Sequence, residues 1–249
     1  MTALVLVLAA GGVIGLALGA LGGGGSVLAV PALIYLLGFT PTAAGTASLI
    51  IVAATSATAL SAHARAGNVR WRTGILFASA GLVPAMLGGV LARHLPASLL
   101  TGAFALTAAL AALRMLRPSG YGPDDPPVRP VQAAGAGAGL GAVTGVLGVG
   151  GGFLAVPALV NVLGLRMRVA VGTSLLVITL NSLAALLARA GSAETLNWAT
   201  LGPFAGAAVL GAWDGKRLAE KVSAGTLRRI FACVLLTVAA FMLIDVLIV

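Results

Sequence analysis

Charge is what this chain has least of. Only 8% of its residues are Asp, Glu, Lys or Arg, and just 6 of the 249 are acidic. A water-exposed globular surface carries several times that density of charge, so a soluble fold is excluded. Aromatic residues reach 5%, and the single cysteine, Cys233, has no internal disulfide partner. Lying in an apolar stretch, it reads as a small residue facing lipid or core. The patterns of common enzymes are missing as well. There is no HExxH, no Cys cluster, no GxSxG, no glycine cluster followed by Gly-Lys-Ser/Thr, and no acidic pair suited to a divalent metal. No catalytic residue, metal or cofactor is expected.

What the chain has is apolar length. It is 59% hydrophobic, with a mean hydropathy of +1.09. Apolar segments fall at roughly 2–21, 26–38, 42–64, 73–92, 97–116, 131–147, 153–164, 169–188, 197–215 and 226–248. Many approach the length needed to cross a hydrocarbon core of about 30 Å. The first segment lacks the basic start of a signal peptide and runs on past any plausible cleavage region. The net charge of +9 lies mostly in single or paired basic residues at segment ends, which is a topology signal and not a nucleic-acid surface. The expected class is an all-α polytopic membrane protein.

The chain repeats itself. Residues 22–38 read GGGGSVLAVPALIYLLG and residues 148–164 read GVGGGFLAVPALVNVLG, eleven of the seventeen being identical at a shift of 148 − 22 = 126. Glycine clusters and prolines are poor helix material, so two copies at matching places point to a transport site built from broken helices. The only long polar stretch, 117–130, contains PSGYGPDDPPVRP and separates two halves of similar layout. The expected organisation is repeat 1 over 1–116 (hairpin 2–38, then three transmembrane helices), a cytoplasmic linker over 117–130, and repeat 2 over 131–249 (hairpin 131–164, then three transmembrane helices).

Basic residues give the sidedness. If each half is a glycine-broken helical hairpin followed by three crossings, only Arg93 and Arg189 of the 15 basic residues fall on the minority side. Treating each hairpin as one broken crossing splits the same residues 8 against 7. The positive-inside rule favours the hairpins, with both termini extracytoplasmic. Three crossings per half invert the second half relative to the first, as in inverted-topology repeats. Whether each hairpin is re-entrant or fully spanning is left open.

Irregular backbone at membrane depth must face protein or a watery cavity. Gly23, Gly24, Gly25 and Ser26, and Val149, Gly150, Gly151 and Gly152, therefore form candidate binding loops. Their uncovered N–H groups and the following helix starts suit a small oxyanion. Pro31 and Pro157 sit near those starts as structural or hinge residues. The alternative is that the glycines only allow close helix packing. Packing is the expected role of Gly11, Gly12, Gly15 and Gly19, and Gly11→Ala is expected to be mild. Thr46, Thr173 and Ser174 offer hydroxyls to the same anion, or bond within their own helices. Asn181 needs a partner, in a helix contact or a cavity. Asp214 reads as a surface ion pair with Lys216 or Arg217 more readily than as a proton relay. Gating or proton handling is one reading of His63; like His94, it stands near a segment end.

The repeated glycine–LAVPAL stretch, the GTS of Gly172–Ser174, Asn181, and the ARAG of Ala188–Gly191 followed by Trp198 resemble the TauE/SafE sulfite exporter family, also called the 4-toluene sulfonate uptake permease family. The first half departs from the pattern, since Gly45-Thr46 is followed by Ala47, with Ser48 one place later. The resemblance implies a secondary transporter in the prokaryotic cytoplasmic membrane, moving sulfite, sulfoacetate or related organosulfonates, mostly outward. Alternating access would come from one half rocking against the other. A passive anion channel, an uptake permease for organic anions and a non-transport membrane subunit are the alternatives. The expected partners are a small anion and the lipid bilayer. The coupling ion, H+ or Na+, and the oligomeric state, monomer or homodimer, are left open.

Overall fold

The structure, a computed structural model, describes residues 2–22, 29–30, 32–34, 36–92, 96–116, 128–147, 152–188 and 198–248. Every regular element among them is helical. The helices are α1 (Thr2–Leu21), α2 (Pro41–Arg65), α3 (Trp71–Ala92), α4 (Ala97–Leu116), α5 (Pro130–Leu147), α6 (Gly152–Asn161), α7 (Met167–Ala188), α8 (Trp198–Lys221) and α9 (Ala224–Ile248). A further helical stretch, the counterpart of α6, includes residues 29, 30 and 32–34. By length and composition, Ala43–Arg65, Met167–Leu187 and Ala224–Phe241 can each cross a bilayer. Val5–Leu21 and Ala105–Leu116 are shorter apolar stretches.

Local chemistry sets the ends. Thr40 caps α2, its hydroxyl accepting the Ala43 N–H at 3.3 Å, with Pro41 preset for the first turn. At the other end, Gly67 adopts φ +71. The Gly67 N–H then reaches Ala64 O and the Asn68 N–H reaches His63 O, both at 3.0 Å, which satisfies two otherwise orphaned carbonyls. The two copies of the repeated sequence end alike. Gly38 and Gly164 have φ +68 and +70. The Phe39 N–H bonds Leu33 O at 3.1 Å, as the Leu165 N–H bonds Leu159 O at 3.0 Å. Each pair is related by the shift of 126. The sequence repeat is thus a structural repeat at its caps.

Glycine then decides which helices touch. A Cβ on Gly11 would stand 2.5 Å from Phe204 O, and one on Gly15 or Gly19 would run into Ala208 O or Ala212 O. The register climbs together on both helices, so α1 and α8 pack in parallel. On the opposite pair, Gly137, Gly141 and Gly145 of α5 abut the carbonyls of Phe77, Gly81 and Ala85, again in parallel with α3. Such contacts bring backbones together where lipid gives no hydrophobic drive between helices. The expectation that Gly11→Ala would be mild is overturned, because the new methyl would meet a backbone oxygen that cannot turn aside. Gly12 is the permissive position, with nothing within 4 Å of an added Cβ.

Two other pairs run antiparallel. Ser56 of α2 and Thr179 of α7 share a hydrogen bond of 2.9 Å between their hydroxyls. Arg228 Nε, near the start of α9, donates to Met115 O at the end of α4. The buried core is rich in alanine, whereas Val131, Met86, Leu187 and Leu210 point outward, between 71 and 82% exposed. An apolar exterior of this extent suits lipid and not water. Helix α8 continues six residues beyond the expected apolar limit at 215. Its last turns are polar and carry the pairs Asp214–Arg217 at 3.3 Å and Lys216–Glu220 at 3.0 Å.

Candidate functional site

Of the residues that the sequence nominates, Gly23, Gly24, Gly25, Ser26, Pro31, Val149, Gly150 and Gly151 lie outside the described residues, as do His94, Arg93, Arg189 and 117–127 of the linker. Gly152 begins α6 and is buried, and Pro157 is buried inside that helix. Thr46 is on α2, while Thr173, Ser174 and Asn181 are on α7. Thr173 and Ser174 are fully buried.

The two halves meet at Ser174. Gly22 ends α1 with φ +69, immediately before the first glycine cluster. An added Cβ there would be 2.5 Å from Ser174 Oγ, 3.2 Å from Val156 Cγ2 and 3.3 Å from Val171 O. Gly22 therefore rests on the hydroxyl of the other half's GTS and on the Val of the other half's VPAL. Next to it, Thr173 Oγ1 accepts the Arg70 N–H at 3.1 Å. Gly172 lies so close to Asn68 O that a methyl would clash. The GTS run thus clasps the turn between α2 and α3 and supports Gly22 at once.

A shift of 126 exposes a residue that motif matching hides. Pairing Gly45-Thr46 with Gly172-Thr173 uses a shift of 127 and leaves Ser48 unmatched. At 126, Ser48 corresponds to Ser174, and both donate to the carbonyl three residues back at 2.8 Å, Gly45 O and Val171 O. Ser48 belongs with the candidate residues. The same shift pairs Thr55 with Asn181 and Ser56 with Ser182, all in the central turns of α2 and α7. Thr55 bonds Ile51 O at 2.6 Å, whereas Asn181 Oδ1 is buried with no partner among the described residues. At about 1.5 Å per residue from the Ser56–Thr179 contact, Ser48 and Ser174 stand roughly 20 Å apart along the helix axes. Ser56, Thr179 and Asn181 lie between them.

Charge gathers at one end. His63, Asn68, Arg168, Lys216 and Glu220 line a crevice with room for about one water, closed by Val171, Ala219 and Leu227. Arg168 Nη2 donates to the carbonyls of Glu220 and Val222, both at 3.3 Å, binding the start of α7 to the end of α8. The Lys216 ammonium holds the Glu220 carboxyl below the usual carboxylate range. Asp214 pairs with Arg217 on the surface, as expected. Among the described residues no cluster of His, Cys, Asp or Glu could hold a metal.

Buried hydroxyls and the buried amide oxygen of Asn181 thus lie inside an exterior suited to lipid. The family model for sulfite exporter TauE/SafE matches residues 7–242. The chain belongs to that family. TauE/SafE proteins are membrane transporters, not enzymes. Two curated relatives, each named "Probable membrane transporter protein", come from Xylella fastidiosa strains Temecula1 and 9a5c. They are 34% and 35% identical over 248 residues, covering 96% of this chain and 95% of theirs. No solved structure matches the chain. Within this TauE/SafE member the glycine–VPAL element occurs in both halves and the GTS in the second, and Gly22 packs against Ser174 of that GTS and Val156 of the second VPAL.

Proposed function

We propose that this TauE/SafE protein is a secondary transporter that exports small sulfur-containing oxyanions or organosulfonates across a prokaryotic cytoplasmic membrane. The backbone N–H groups of Gly23–Ser26, with Thr173 and Ser174, form one station for the anion, and those of Val149–Gly152, with Thr46 and Ser48, form the second, roughly 20 Å away along the helix axes, with Asn181 between them. The observation that carries this reading is Gly22 seated on Ser174 and Val156, which brings one half's glycine cluster to the other half's hydroxyls. Helix ends and hydroxyls without a formal mid-membrane cation bind weakly, each helix end contributing roughly 0.3–2 kcal/mol. A net 4 kcal/mol corresponds to a Kd near ~1 mM, which suits a carrier that must release its cargo.

The architecture is two inverted-topology repeats with both termini extracytoplasmic. Support comes from the pairing of helices. In an inverted repeat α1 corresponds to α5 and α8 to α3, and both cross-half pairs are parallel and glycine-lined. It likewise makes α2 correspond to α7 and α4 to α9, and both of these pairs are antiparallel. Because each half lends a helix to the other, alternating access proceeds by motion of the α1–α8 and α3–α5 pairs around α2 and α7. Rocking of intact sequence halves would have to break both glycine contacts.

A thermal-shift screen of the solubilised protein against sulfite, thiosulfate, sulfate, sulfoacetate, taurine and simple carboxylates tests the reading. Stabilisation by a sulfur oxyanion in the range of tens of micromolar to millimolar, followed by saturable counterflow in proteoliposomes, is expected. Stabilisation only by cations or by no anion would overturn it, and conduction without saturation would replace the carrier by a channel.

A further inference from the structure

His63 has two faces. Its Nε2 lies 3.1 Å from the Gly19 carbonyl oxygen. A carbonyl only accepts, so Nε2 carries the hydrogen and Nδ1 keeps its lone pair. That Nδ1 is buried and has no partner among the described residues, while the side chain is 3% exposed and lines the crevice described above. Buried acceptors without a donor are uncommon in native structures. This one borders a space that a water can reach. The carbonyl on its other face lies in the last turn of α1, three residues before Gly22 and the glycine cluster.

The charges that face the imidazole come from each neighbouring helix. Helix α8 contributes Lys216 and Glu220, which pair with each other, and α7 contributes Arg168. Arg65 follows on its own helix and stacks 5.8 Å over the Trp213 ring. Helix α1 presents only backbone, Asn68 is uncharged, and α9 contributes Leu227 to the crevice.

We propose that His63 is a proton-binding site that links pH in the crevice to the seating of Gly22 on Ser174, with the coupling role resting on the transport reading above. A proton from crevice water adds to the Nδ1 lone pair. No bond in the protein breaks, solvent base keeps the balance, and the neutral imidazole becomes an imidazolium donating from both nitrogens. The imidazolium then faces the negative end of the α1 dipole, where a cation binds favourably. Protonation tightens the hold on Gly19 O, and deprotonation slackens it. The next residues along α1 are those that seat on Ser174. An imidazole nitrogen is a poor ligand for Na+, a hard cation that takes oxygen ligands. A site of this chemistry couples to H+ and not to Na+.

The chain has 2 histidines, so His94→Asn leaves one imidazole to observe. Nitrogen-15 NMR of that variant in nanodiscs, from about pH 5 to 8, reads the site without any transport. The expected result is the Nε2–H tautomer converting to the doubly protonated form. An imidazole that does not titrate in that window overturns the proton site. In proteoliposomes, wild-type sulfite flux should change roughly three- to tenfold over the same window. His63→Gln, which can still donate an amide hydrogen to Gly19 but takes no proton, should vary by less than about twofold. A His63→Gln protein with the wild-type pH profile overturns the coupling. If the wild type moves no anion at any pH, the transport reading fails, and the NMR titration still decides the fate of the proton site.

Discussion

Helices α2 and α7 occupy matching places in the two copies of the repeat, yet they use their polar residues differently. Each carries a serine seven residues past its start, Ser48 or Ser174, back-bonded to its own helix at 2.8 Å. Beyond that the pair diverges. Thr55 is satisfied along α2, whereas its counterpart Asn181 has a buried oxygen with no described partner. At the same shift the buried His63 corresponds to Arg189, a different side-chain chemistry near the helix end. Under the proposed function the shared serine serves both halves alike, and the mismatches mark where the two ends have different tasks.

The strongest way to break the comparison is to disable α7 as a clasp. Gly172→Ala drives a methyl into Asn68 O, and overpacking of this kind costs about 1–3 kcal/mol. A drop of several degrees in melting temperature is expected for the detergent-solubilised protein, and an unchanged value would mean that the clasp is loose. A nearby comparison separates the α1 glycines. Gly11→Ala should lower stability by about 1–3 kcal/mol, while Gly12→Ala should fall within about 0.5 kcal/mol of the wild type. Denaturation in mixed micelles measures both, and equal values for the pair would remove the assigned α1–α8 register.

Thr173→Val sharpens the comparison next. It keeps the shape and removes the acceptor of the Arg70 N–H, at a cost of about 1–3 kcal/mol for a donor left unpaired. Hydrogen exchange at Arg70 should accelerate, and protection at the wild-type level would show another acceptor taking over. The smallest effects belong to the serines. Ser48→Ala and Ser174→Ala each lose only a local back-bond, worth about 0.5–1.5 kcal/mol at most. Under the proposed function both should nevertheless weaken anion binding, and isothermal titration should find comparable losses. If only Ser174→Ala weakens binding, the two halves do not share one task.

Much of this was legible in the sequence because glycine and proline are explicit. The repeat at a shift of 126 was plain in the sequence, and its final glycines, Gly38 and Gly164, proved to be matched helix caps. Segment limits from apolar runs agree with most helix limits to within a few residues. Helix α8 is the exception, since a helix can continue in water on ion pairs where hydropathy stops. The sequence also marked Gly11, Gly12, Gly15 and Gly19 as packing residues, of which Gly12 has open space beside it, but a small-residue face does not name its partner. Nothing local says that α1 meets α8 and not its neighbours in the chain. Ser48 was obscured because matching by residue type favoured Gly45-Thr46 over the constant shift. The role of His63 depends on a backbone carbonyl 44 residues earlier, a contact that only the fold makes.

The parallel pairing of α1 with α8 also bears on how the protein is made. The end of α1 and the start of α8 are separated by 198 − 21 = 177 positions. At ribosomal speeds of about 5–20 residues per second, α1 waits on the order of ten seconds or more for the surface it fits. During that interval its glycine face has only lipid, the translocon or a chaperone for company. Neither half of the chain can finish folding alone, so the N-terminal half expressed by itself should be an orphan that quality-control proteases clear. Supplying the C-terminal half in the same cell should rescue it.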